Sequence, residues 1–443
     1  MASRPNRSSQ RLTVKAGQGL ATEGARRAAV TRRLAAGEAS SRPSWAVALG
    51  ATLLLQTVTS FLVQTLPVVA PLVTGGTGLP PESVGHAMGL VGCGTVFYLT
   101  CGGPMLARLG PVRMLQAGAS LAALALLGIT AGTPAALFAA ALMLGIGNGP
   151  GVPASSRILA LIAPTGHHAL IFSANRTGVP LGGTLTGLMV PPVALAVGWR
   201  AALALAAGAA LMSVLAVQPL RATFDAGRDQ GRAVGPTALL RPANLASAFA
   251  ALRLHPLLWP LAALAFFLAV AQSCLSAFVV TYLVEARGWA LAEAGVVFAM
   301  VQAAGMAGRL LLGWFADRTG TALLNLVVQA AAVAVLTTLF ALLPTDASHE
   351  TVVLVSAALG LVAAGWNGVA LAEATRLSPS DRIGDVTAGA ALVAFLGASA
   401  APVAFAGAVS LSGGWTAPLL AVAALTALAT AALAPRLLAG MRG

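Results

Sequence analysis

The chain has 443 residues, of which 58% are hydrophobic and only 9% charged, with a formal net charge of +13. An ordinary soluble domain carries roughly a quarter charged residues, so water is not the main solvent of this protein. Nor is the charge a nucleic-acid footprint, because nine of the twenty-six cations precede Trp45 and most others sit in short loops between apolar runs, as a topology and lipid-headgroup signal would.

Residues 1–43 are rich in Arg, Ser, Ala and Gly and show no hydrophobic face. They read as a disordered basic cytoplasmic tail; Glu23 and Glu38 argue against an organelle transit peptide. Apolar runs then follow over Trp45–Val73, Val84–Leu106, Met114–Ile129, Pro134–Leu159, Ala169–Val197 and Trp199–Val217. After a polar stretch come Leu257–Val284, Ala290–Phe315, Leu323–Leu343, Val352–Leu371, Val386–Val409 and Trp415–Leu433. Each is about long enough for a bilayer core of ~30 Å. Every backbone amide in that core must be satisfied internally, so these runs are predicted to be helices. The alternating segments of ~10 residues that build a barrel are missing.

The fold class is therefore an all-α membrane protein of twelve transmembrane helices in two six-helix, pseudo-symmetric halves. The expected organisation is an N-terminal half over 44–220, a cytoplasmic linker over 221–256 and a C-terminal half over 257–443. Within the linker, 243–254 is apolar with one cation and predicts a short interfacial helix. With the tail inside, the inside connections hold Arg108, Arg113, Arg157, Arg221, Arg228, Arg232, Arg241, Arg253, Arg318, Arg376, Arg382, Arg436 and Arg442. The outside connections hold only Arg200 and Arg287 among cations. That asymmetry predicts both termini in the cytoplasm, with the chain in the inner (plasma) membrane of a bacterium.

The two halves repeat. Gly103, Arg108 and Gly110 in the loop after the second span recur as Gly313, Arg318 and Gly320 after the eighth. Leu144-Gly145 recurs as Leu359-Gly360, and Pro164 as Pro379. A duplicated six-helix unit is an architecture of secondary transporters. Gly313, Asp317, Arg318 and Gly320 complete a Gly-x-x-x-Asp-Arg-x-Gly pattern, and here the chain resembles the major facilitator superfamily over roughly 45–435. The first copy departs from the pattern, with Ala107 where the acid should stand. Gly313 is expected to let two helices approach closely, Gly320 to permit a turn with positive φ, and Asp317 to latch one end of the bundle shut through a cation or a helix N-terminus. Arg108, Arg157 and the Glu373–Arg376 pair at i, i+3 join them as candidate gating residues.

Polar side chains within spans are costly and tend to face the interior. Gln56, Ser60 and Gln64 form one stripe on the first span; Gln272, Ser273 and Ser276 lie on the seventh. The resemblance implies that the first, fourth, seventh and tenth spans line the cavity. The candidate substrate-binding residues are accordingly Gln56, Gln64, Asn148, Gln272, Trp366 and Asn367, with Arg176, read as the one cation inside a span. The fourth and fifth spans carry thin, Gly/Pro-rich stretches at Gly145–Pro153 and Gly178–Gly183, expected to move or line the cavity.

No acid is expected at mid-depth, so a coupling proton, if used for symport, must be carried by a peripheral acid or by the substrate. Cys93, Cys101 and Cys274 read as small packing residues, and no His/Cys cluster has metal spacing. No cofactor is expected. No nucleophile–base pair or phosphate loop supports an enzyme or receptor. The expected activity is secondary transport of a small organic or inorganic anion by alternating access, by a monomer whose partners are that solute and the bilayer, with no nucleic acid. The alternative is export of neutral or amphipathic compounds, including drugs.

Overall fold

The computed structural model describes residues 44–162, 168–231, 234, 249–379 and 382–439. Twelve helices among them are long and apolar enough to cross a membrane, and the described residues contain no strand. The predicted spans are all present, with the largest differences at their starts being Pro111 for Met114, His349 for Val352 and Ile383 for Val386. The expected tail lies outside the described residues, as does most of the expected interfacial helix; of the latter, 249–251 are helical.

Proline stands at each break within the spans, although Gly178–Val197 runs on through Pro191 and Pro192. Proline has no N–H for the carbonyl four residues back and breaks a helix there unless a new one starts on it. Four of the first five spans are interrupted in this way. The first divides into Trp45–Val68 and Ala70–Thr77 ahead of Pro71, and the second into Ser83–Cys101 and Gly103–Leu109 ahead of Pro104. The fourth divides into Pro134–Asn148 and Gly151–Ile162 around Pro150, and the fifth into His168–Arg176 and Gly178–Val197 ahead of Pro180. In the second set of six, Leu258–Glu285, Leu291–Thr319, Ala322–Leu342 and His349–Arg376 run unbroken, and Ile383–Ser412 continues through Pro402.

The interior of the first six spans is built on Leu62, Leu126, Leu144 and Leu203, and that of the last six on Leu268, Phe298, Leu359 and Phe405, all buried. Large apolar side chains also cover the outside: Met212, Val335, Leu354 and Leu428 are each at least 67% exposed. On a water-soluble protein such a surface would aggregate; against lipid it costs nothing.

The two sets of spans meet along two seams made of small residues, which let backbones approach. In the first, Gly85 lies against the Pro402 carbonyl and Phe278, Gly89 against Val403, and Gly92 against Ser399. In the second, Gly187 lies against Gly295 and Ala299, and Gly183 against Gln302. Both seams lie towards the end of the bundle that carries the 78–82, 286–290 and 343–348 connections. The opposite end carries Arg108, Arg157, Arg318 and Arg376, all with exposed side chains.

Candidate functional site

Two clusters of polar residues, one in each set of six, join spans that the sequence singled out, while a separate buried pair, Asn325 and Gln329, ties the ninth span to the Leu312 carbonyl of the eighth. In the first, Asn175 Nδ2 donates to Gln56 Oε1 at 2.9 Å, and Ser60 Oγ donates to the Val179 carbonyl at 2.8 Å. Gln56, Ser60 and Asn175 are all buried. The stripe on the first span therefore faces the fifth, and two of its three members tie these helices together. Such interhelical bonds contribute about 0.6 kcal/mol each in membranes. Gln64 and Asn148 are half-buried and have no hydrogen-bond partner among the described residues.

In the second cluster, Gln272 Oε1 accepts from Trp366 Nε1 at 3.1 Å and from Asn367 Nδ2 at 3.3 Å. This joins the seventh and tenth spans and brings together three residues that the sequence had singled out separately. Trp366 is buried while Asn367 is exposed, so the cluster lies at the wall of an accessible space. Its spare donors and acceptors are neutral and suit a polar group of almost any solute.

Arg176 sits where the fifth span breaks, at the last residue of His168–Arg176. Pro180 has no N–H for its carbonyl, and the bond from Asn175 to Gln56 anchors the residue just before it. Its side chain is half-buried and has no ion-pair partner among the described residues. It is not the one cation inside a span. Arg309 lies within Leu291–Thr319, ten residues before its end, and donates from Nε to the Ala364 carbonyl at 3.3 Å. Arg309 also falls within the predicted eighth span, Ala290–Phe315, and the helix runs on through Asp317 and Arg318 to Thr319.

The loop motif divides in its roles. Gly320 ends the eighth span with φ +65°, and Gly110 turns the chain with φ +93°. Gly313, expected at a close helix contact, has nothing within 4 Å of where a Cβ would stand. The close approaches come earlier on the same helix, Gly305 against Ala364 and Gly308 against the Leu361 carbonyl. Asp317 is exposed, with no hydrogen bond or ion pair among the described residues. Arg318 lies with its guanidinium 5.7 Å from the Trp314 ring centre.

In the first copy an acid from elsewhere stands beside Gly110. Asp225, just past the sixth span, is buried and accepts from the backbone N–H of Val112 at 2.9 Å and of Arg113 at 3.1 Å. Its carboxyl lies against Gly110, where a Cβ would leave no room. The Asp229 N–H donates to the Ala107 carbonyl at 2.9 Å, so the chain after the sixth span is stitched to this loop. Asp225 thus caps the third span and favours its positive dipole end. At the same end of the bundle Glu373 and Arg376 form the expected pair, with both guanidinium-to-carboxylate bonds made, at 2.6 and 2.9 Å. Glu373 is buried and Arg376 largely exposed.

The sequence model of the Major Facilitator Superfamily matches residues 52–402. An uncharacterized MFS-type transporter of Mycobacterium tuberculosis (strain ATCC 25618 / H37Rv) is 26% identical over 328 residues, 73% of this chain and 69% of that protein. Among solved structures, a bacterial homolog to the human lysosomal transporter Spinster, inward-facing and unoccupied, superposes with a TM-score of 0.69 at 17% identity, over 89% of this chain and 97% of that one. A peptide transporter POT in complex with sulfate gives a TM-score of 0.71 at 16% identity, over 88% and 94%. At these identities the two structures speak for the fold alone.

Proposed function

The chain belongs to the Major Facilitator Superfamily and is a multi-pass membrane transporter of that type, and from that premise we propose that it carries a small anion by alternating access. The observation that carries the reading is Arg176, a cation inside a span with no acid beside it among the described residues. A guanidinium stays charged at any physiological pH and presents a planar fork that suits a carboxylate or other oxyanion. Leaving it in an apolar span is costly, and an anionic solute offsets that cost each time it binds. The neutral clusters around Gln56–Asn175 and Gln272–Trp366–Asn367 would orient the rest of the solute. With the arginine-rich end in the cytoplasm, the small-residue seams close the outer side and Arg176 is reached from within. Opening the other way requires those seams to part and Asp317 and the Glu373–Arg376 pair to engage across the inner end.

The test is uptake by the purified protein in liposomes, with a panel of carboxylates, phosphate, sulfate, sugars and amino acids. Arg176→Gln should lower anion transport about 10²-fold, the loss of a charged hydrogen bond of 1.5–3 kcal/mol, with thermal stability near wild type. Arg176→Lys should recover only part, since it keeps the charge but loses the fork. Normal anion uptake by the glutamine variant would remove the basis of the reading.

A further inference from the structure

The break in the fifth span leaves buried oxygens without donors where it meets the first span. A threonine in a helix can return its hydroxyl to the carbonyl four residues back. On the first span Thr52, Thr59 and Thr65 do so, to Ala48, Leu55 and Phe61 at 2.7–2.9 Å. Thr57 does not. Its Oγ1 is buried and has no hydrogen-bond partner among the described residues. It lies instead against Gly178, the first residue of the helix that follows the break. Where a Cβ on Gly178 would stand, Thr57 Oγ1 is 3.1 Å away and the Leu53 carbonyl oxygen 3.2 Å. Glycine thus leaves a cradle between the two helices, with oxygens on its wall.

Asn175 brings a second such oxygen from the other side of the break. Its Nδ2 is committed to Gln56, the neighbour of Thr57, and its Oδ1 is buried without a partner among the described residues. Thr177, between the two pieces, keeps φ −68° and ψ −16°. The chain therefore crosses the break without swerving, and Asn175 and Gly178 remain about one turn apart. The Arg176 carbonyl lies between them, and Pro180 has no N–H for it. Nearby donors are already engaged, Ser60 Oγ with the Val179 carbonyl and Thr177 Oγ1 with the Ala174 carbonyl. What remains are acceptors. A water molecule offers them two protons, whereas a cation serves all of them at once. Neither the first nor the fifth span contains an acid. Divalent ions are held chiefly by carboxylates, so neutral oxygens favour a monovalent one. The negative dipole end of His168–Arg176 acts in the same direction.

We propose that Thr57 Oγ1, Asn175 Oδ1 and the carbonyls of Leu53 and Arg176 form a site for a monovalent metal cation between the first and fifth spans. Carbonyls freed at a helix break are suited to such an ion. The site itself stands on these oxygens, and its role in coupling rests on the anion reading. The Arg176 guanidinium, carried by the same residue, repels a cation held there, and a bound anion offsets that repulsion. Each ligand then raises the affinity for the other by the same factor, so ion and anion travel together. An ion gradient drives the anion, across a pair of helices that offer no carboxylate to take a proton.

The experiment uses the full chain in detergent and in liposomes, with the chlorides of sodium, lithium, potassium and choline at equal ionic strength. At least one metal ion should raise the unfolding temperature relative to choline. Thr57→Val should weaken binding of that ion at least tenfold. In choline the same variant should unfold no lower than the wild type, since a buried hydroxyl without a partner costs stability. Thr57→Ser, which keeps the oxygen, should bind the ion within about threefold of wild type. In liposomes an inward gradient of the ion should speed uptake of the carried anion at least tenfold over choline. Equal unfolding temperatures in all four salts would mean a bound water only and overturn the site, as would wild-type ion binding by the valine variant. Ion binding without any effect on anion uptake overturns the coupling. Ion binding lost in the valine variant and kept in the serine one, in a protein that carries a neutral solute and no anion, upholds the site and removes the anion reading.

Discussion

Asp225 holds a helix start that the repeat leaves unsupported. Burial pushes its carboxyl above the usual carboxylate range, while the Val112 and Arg113 N–H bonds and the charges of Arg113 and Arg228 pull the other way. Asp225→Ala would leave two buried N–H groups without a partner, at a cost of about 2–3 kcal/mol. Asp225→Asn keeps one acceptor and should cost about 1 kcal/mol. The pH dependence has a definite sign. With its folded value raised, the folded protein keeps this proton where the unfolded chain has lost it. The group's contribution is then complete below the unfolded value and declines as pH rises to the folded one. Acidifying from neutral towards the carboxylate range should thus raise the melting temperature of the wild type relative to the asparagine variant in detergent. A relative fall would mean that the ionised carboxylate is the stabilising form. None of this is legible in the sequence, which shows Ala107 where the acid should be but not that Asp225 returns to Val112 from 113 positions away. Arg309 is a different case: it lies within the predicted span Ala290–Phe315, so the sequence already held a second cation inside a span beside Arg176.

The spans themselves were legible nearly to the residue, because a hydrocarbon core of ~30 Å and the need to satisfy every amide leave few alternatives. The prolines also marked the breaks in the fourth and fifth spans. Which glycine packs against what is a tertiary fact, and there the motif misled. Gly187 touches the Gly295 carbonyl and Ala299, whereas Gly313 faces open space. Gly187→Ala should therefore push the fifth and eighth spans apart, cost about 1–3 kcal/mol as an overpacked contact and slow transport. Gly313→Ala should leave stability within about 0.5 kcal/mol. Thermal unfolding of the two variants side by side decides the matter. Equal losses would mean that the second seam is not tight in the membrane, or that Gly313 packs in another conformation of the transport cycle. Transport measured on the same samples separates those two outcomes, because only the latter slows the alanine variant at 313.

For the whole molecule, the mechanism depends on which way it sits. The described residues put Arg108, Arg113, Arg157, Arg221, Arg228, Arg253, Arg318, Arg376, Arg382 and Arg436 at one end of the bundle and only Arg200 and Arg287 at the other. Arg200 donates to the Thr130 carbonyl, and Arg287 to the Leu343 and Pro344 carbonyls. These two cations serve as local ties between adjacent connections, which explains their place on the sparse side. The excess at the other end has few such partners beyond Glu373 and Asp385, and the topology rule assigns loops of that kind to the cytoplasm. An even number of spans then returns both ends of the described chain to the same side. Alkaline phosphatase, active only outside the cytoplasm, should be active when fused after Asp346 and inactive when fused after Asp229. The reverse pattern would turn the bundle over. The seams of small residues would then close the inner side, and Arg176 would be reached in this conformation by an anion arriving from outside the cell.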